Sequence, residues 1–123
     1  MSGPVFDALS GDPVLAQHYA DFRAKATSAL APGLVAMVRQ AVEHVHGIAA
    51  EPVDDTTLDH GTRACIAYAR RMPFEHTAIT DEEAAAVVAH LGEARFVAFS
   101  VVTALADAEC RAELVGLAEL AGA

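Results

Sequence analysis

The 123-residue sequence has no tryptophan, two cysteines (Cys65 and Cys110) and a single lysine, Lys25. Two cysteines far apart in the chain cannot build the disulfide framework of a small secreted domain. Basic residues number 8 against 17 acidic ones, a net charge of −9, and the longest basic run is Arg70-Arg71. The positive footprint that nucleic acid or an anionic membrane surface needs is therefore missing. Charged residues are also scarce at 20%, against 54% hydrophobic, which excludes a disordered chain. Mean hydropathy is positive at +0.31. Yet the longest stretch free of charge, His, Gly and Pro, Phe96 to Ala106, falls well short of the ~20 apolar residues of a membrane span. The N-terminal MSGPVFDALSGDP has neither a basic stretch nor an apolar core, so no secretory signal is expected and a reducing, cytoplasmic setting is. The length suits one domain, residues 1–123. Surplus apolar surface in so small a domain predicts a homo-oligomer.

What is present is helical patterning, and the expected fold is all-α. Asp12-Pro13 reads as a cap followed by proline at the first helical position, and Val14, Leu15, Tyr19, Phe22, Ala26 and Leu30 continue it, predicting a helix over Pro13 to Leu30. After Ala31-Pro32-Gly33 a second stripe, Leu34, Val38, Ala41, Val42 and Val45, runs to Gly47. Ile48 to Asp55 has no period and reads as a loop, with Thr56 and Thr57 as caps for a helix from Leu58 to Met72 that Pro73 should stop. Thr80-Asp81-Glu82-Glu83 has the form of a capping box opening a short helix that ends at Leu91 and Gly92. The last helix starts near Glu93. Its Phe96–Ala106 segment is apolar nearly all round and is expected to be enclosed, with Phe96 or Phe99 meeting a partner subunit.

The segments LAPGLVAMVRQAVEHVHGI, ACIAYARRM and ITDEEAAAVVAHLGEARFVAFSVVTALADAECRAEL together resemble the carboxymuconolactone decarboxylase and alkylhydroperoxidase D-like family. The resemblance implies that family's oligomeric helical fold. It also marks a departure: where redox-active relatives carry a CxxC, this chain has Ile48 and Glu51. A thiol pair at that spacing is what lets one cysteine attack and the other resolve, so the family's peroxidase chemistry is not implied here. What the resemblance does imply is a non-peroxidatic ligand-binding or structural homo-oligomer. Its alternative, after the decarboxylase-like relatives, is an acid–base enzyme acting on a small lactone or carboxylate.

Glu43 and His46 form an E-x-x-H pair about 60° apart on a regular helix, with His44 directed elsewhere. A histidine beside a carboxylate is the minimum for proton transfer to carbon, and Arg39, one turn before Glu43, could anchor a carboxylate substrate. The resemblance implies that Glu51 and His60 cluster with Glu43 and His46 around the region that corresponds to the family's active-site edge. The competing reading is a wet face on which Arg39 and Glu43 pair as i,i+4 neighbours. A di-iron bundle would need a second E-x-x-H, which the sequence lacks, so neither metal nor cofactor is expected. Cys65 and Cys110 each sit on an apolar stripe and read as core residues. His18, His76 and His90 receive no role.

Overall fold

A computed structural model of the chain describes residues 2–122. Seven helices and no strand occur among them: α1 (Pro4–Ala8), α2 (Pro13–Ser28), α3 (Pro32–Val45), α4 (His60–Glu75), α5 (Asp81–Leu91), α6 (Glu93–Leu114) and α7 (Leu117–Leu120), with one 3-10 turn at His76–Ala78. The expected all-α class holds. The starts of α2 and α5 follow their sequence signals: Asp12 accepts from the Leu15 amide at 3.1 Å, and Thr80 and Glu83 satisfy each other's backbone amides in a complete capping box. For α4 the cap is Asp59, which accepts from the Thr62 amide at 2.7 Å, and not a threonine.

The expected stop at Pro73 is overturned, because α4 runs on to Glu75 with Pro73 inside it. Proline there removes a single hydrogen bond, near the helix end, where the loss is least disruptive. Pro73 is buried and its carbonyl accepts from Arg111 Nη2 at 2.8 Å, so bonding to α6 holds the last turn.

Helix α3 is central, packing against α4 on one side and α6 on the other, while α5 lies across α4 and α6. Its buried residues Leu34, Val35, Val38, Ala41 and Val42 repeat at the helical period and face Cys65, Ile66 and Ala69 of α4 and Phe99 and Val102 of α6 in the main core. A smaller cluster holds Val42, Ala106 and Cys110. The two cysteines thus sit in separate apolar clusters. Gly92 joins α5 to α6 through a bend of 114°, with φ +83° and ψ 162°, a conformation essentially restricted to glycine.

Two expectations about apolar faces change. Phe99 is wholly buried by its own chain, packed on Tyr68 with ring centroids 5.6 Å apart, and so cannot meet a partner. Phe96 is half-buried on the same tyrosine. On α2, by contrast, Val14, Leu15 and Phe22 are exposed. That helix turns Tyr19 and Arg23 toward α6, so polar contacts dock it together with buried Ala16 and with Ala26 and Leu30, the end of the stripe, which pack in the core. No single helix among the described residues is long and apolar enough to cross a membrane.

Candidate functional site

Between α2, α3 and α6 the fold collects a polar cluster around Glu109. The Tyr19 hydroxyl donates to Glu109 Oε2, and Arg23 reaches both carboxylate oxygens, Nε to Oε2 at 2.7 Å and Nη2 to Oε1 at 3.2 Å. This is the two-pronged geometry in which a guanidinium binds a carboxylate most strongly. Burial, followed by the hydrogen bond and the charge of Glu109, pushes the Tyr19 phenol well above its usual range. The phenol therefore stays protonated and serves as a donor.

Arg39 is the neighbouring cation and is handled differently. Its one side-chain hydrogen bond among the described residues is Nη2 to Thr27 Oγ1, at 3.3 Å. Burial, then the like charge of Arg23, pulls its guanidinium below the usual range. Arg39 does not form an ion pair with Glu43 among the described residues, so the expected i,i+4 pairing on a wet face is absent. Instead it lies where two cavities meet. One is a groove of about 650 Å³ between α2 and α3, walled by Ala24, Leu30, Val35 and Ala36 and bearing Arg23, Thr27 and Arg39. The other, about 130 Å³, shares Arg23 and Arg39 with it and takes in Glu43, Glu109, Cys110 and Glu113. The larger groove falls in the size range of small-molecule sites and carries no acidic residue.

Of the sequence-predicted site residues, Arg39 and Glu43 share the small cavity. His46 does not join them. Its Nε2 lies 2.6 Å from Asp107 Oδ1, its ring meets Phe74 edge-on at 4.8 Å, and its side chain is 2% exposed. The residue stands just past the last turn of α3, so the separation expected of a regular helix does not bring it to Glu43. Glu51 and His60 are exposed, in the loop and at the start of α4, and line neither cavity. His44 ties the same loop down, Nδ1 lying 3.1 Å from the Ala49 carbonyl.

Arg23, Glu109 and Asp107 carry no sequence signal, and Tyr19 reads in the sequence only as a member of the first helix's apolar stripe. Their contacts span 61 to 90 positions and leave no local spacing to read. The cysteine thiols are both pushed up to about 11, by burial first and then by nearby carboxylates, Asp59 for Cys65 and Glu43 for Cys110. Such thiols are poor nucleophiles at neutral pH. Among the described residues no group of three or more His, Cys, Asp or Glu side chains is placed to hold a metal ion. No known protein family, curated protein or solved structure matches the chain.

Proposed function

We propose that this chain is a non-peroxidatic binding protein for a small carboxylate, assembled as a homo-oligomer and related to the carboxymuconolactone decarboxylase and alkylhydroperoxidase D-like proteins that its sequence resembles. The observation that carries the reading is Arg39, a partly buried guanidinium left with one hydroxyl partner beside an acid-free groove. Arg23, next to it, is already neutralised by Glu109. A ligand carboxylate would give Arg39 the direct ion pair that it lacks within the fold, where Glu109 and Glu43 act on it only through space, while the apolar walls would take the ligand's carbon frame. The protonated, separately buried thiols support the non-peroxidatic part of the reading.

A second reading, an acid–base enzyme on a lactone or carboxylate, is favoured by Glu43, whose cavity adjoins Arg39. It lacks the support of His46, which is committed to Asp107.

Titration calorimetry with benzoate as probe tests the first reading. Binding should weaken about ten- to a hundredfold in Arg39→Gln, the range expected for a lost hydrogen bond between charged groups. It should be unchanged in the Cys65→Ala/Cys110→Ala variant. Equal affinity in wild type and Arg39→Gln would reject the site.

A further inference from the structure

The chain has seven arginines, and six of them are hydrogen-bonded in the fold. Arg23 and Arg71 bind Glu109 and Glu83, Arg70 and Arg111 bind Asp55 and Asp107, Arg39 binds Thr27, and Arg63 binds loop carbonyls. Arg95 is exposed and has no hydrogen bond or ion pair among the described residues. It stands in the first turn of α6, where the helix dipole disfavours a cation, so helix stability gives no reason for it.

Arg95 does face a cavity. A pocket of about 580 Å³ opens where the start of α3, the first turn of α4, the end of α5 and the start of α6 come together. Its floor is apolar, formed by Leu30, Leu34, Met37 and Leu91, and its rim carries Thr62, His90 and Arg95. No acidic residue lines it, in a protein whose net charge is −9. The His90 ring is seated closely: a Cβ built on Gly61 would lie 2.1 Å from His90 Nδ1, so the imidazole occupies the space that the absent side chain of Gly61 leaves. A half-open apolar pocket with the exposed guanidinium of Arg95 and the exposed imidazole of His90 at its rim, the latter within reach of the Asp59 charge, is complementary to a ligand with a single negative charge and a hydrocarbon tail.

We propose that this pocket is a binding site for a straight-chain aliphatic monocarboxylate, its head group at Arg95 and His90 and its tail on Leu34, Met37 and Leu91. The site is distinct from the Arg39 groove and stands whether or not that groove binds a ligand.

Calorimetric titration with butanoate, hexanoate and octanoate, with octanol as the uncharged control, tests it. Affinity should rise about three- to fourfold per added methylene, the increment for burying one CH₂, and octanol should bind much more weakly than octanoate. Arg95→Gln should weaken octanoate at least tenfold. Gly33→Leu should abolish binding with the melting temperature retained, because Gly33 lines the pocket and a side chain there starts in open space. Arg39→Gln should leave octanoate binding unchanged. The proposal is overturned by any of four results: no octanoate binding at millimolar concentration, no dependence on chain length, unaltered binding in both Arg95→Gln and Gly33→Leu, or loss of binding in Arg39→Gln in place of Arg95→Gln.

Discussion

His46 and Asp107, 61 positions apart, are joined side chain to side chain at 2.6 Å. The bond is one strand of a small knot. Asp107 Oδ1 also accepts from Arg111 Nε at 3.0 Å, Arg111 reaches the Pro73 carbonyl, and its guanidinium lies 5.1 Å from the centre of the Phe74 ring, against which His46 also packs. The end of α3, the last turn of α4 and the middle of α6 are thereby tied together. This employs His46 as a structural residue, whereas Glu43 is left to a cavity.

The two residues should therefore respond differently to substitution. Asp107→Ala leaves the 2%-exposed His46 side chain without its partner, which should cost about 1–3 kcal/mol. For a chain of this size that is a drop of roughly 4 °C in melting temperature per kcal/mol. Glu43→Gln, which breaks no hydrogen bond of the fold, should leave the melting temperature within a degree or two of wild type. Thermal melts of the two variants in one buffer make the comparison, and the reverse ranking would show that Glu43 and not His46 ties the helices.

Alkaline pH should loosen the fold through its thiols and Tyr19. Both cysteines move from an ordinary 9.0 to about 11 on folding, and the Tyr19 phenol is raised as well. A group whose folded pKa is raised binds its proton more tightly in the native state, so the unfolded chain gains stability once pH passes the ordinary value. Stability is accordingly intact below about pH 9 and falls progressively between 9 and 11 as the unfolded thiols ionise first. Tyr19 extends the decline from about pH 10 upward. Urea midpoints measured across this range should fall, and Cys65→Ala/Cys110→Ala should flatten the early part of the fall. Iodoacetamide at pH 8 should label neither cysteine in the native protein and both in urea; prompt labelling of the folded protein would contradict the burial.

Gly61 and His90 form a coupled pair. At Gly61, the second residue of α4, an alanine is better than glycine by at most the mid-helix figure of about 0.5–1 kcal/mol, but here the added Cβ would meet the His90 ring at 2.1 Å and displace it. Gly61→Ala should thus stabilise the His90→Ala protein by the full propensity gain and the wild type by clearly less. A double-mutant cycle by urea denaturation reads the difference as a coupling energy. A cycle that closes to zero would mean that the ring moves aside freely and that Gly61 is not kept for it.

Much of the helical frame follows from local chemistry. The Asp12-Pro13 start and the Thr80–Glu83 box are satisfied within a few residues, and the Leu34, Val38, Ala41, Val42 stripe is buried as its spacing requires. What failed was set by partners far away in sequence. Pro73 lies inside α4 with its carbonyl bonded by Arg111 from 38 positions away, and the start of the α2 stripe stays exposed while Tyr19 and Arg23 turn to Glu109 and only its end, Ala26 and Leu30, reaches the core. The same separation hid the candidate sites. Arg39 was identifiable as a cation one turn from Glu43, but nothing near it in sequence tells that Thr27 would be its one partner. Likewise Arg95 and His90 meet across a cavity whose other walls come from α3 and α4.

Exposed apolar side chains on α2 supply the last prediction. Leu15 is 49% and Phe22 55% exposed, and seven positions on a helix is nearly two full turns, so the two share one face. Of the expected contacts Phe96 or Phe99, Phe99 is buried inside the chain and Phe96 is half-buried, and α2 presents Val14, Leu15 and Phe22 as exposed large apolar groups on one helix. Burying such groups at a subunit contact is favourable by about 25 cal/mol per Å² of apolar area removed from water. Light scattering at micromolar concentration should return a dimer or larger assembly, and Leu15→Lys/Phe22→Lys should shift it to monomer while helix content by circular dichroism stays the same. Both positions are solvent-facing in the single chain, so misfolding is not the expected route to that shift. A monomeric wild type would remove the assembly from the proposed function, and an oligomer indifferent to the double substitution would move the contact off α2, to the exposed residues Leu114, Val115 and Leu120 at the other end of the chain.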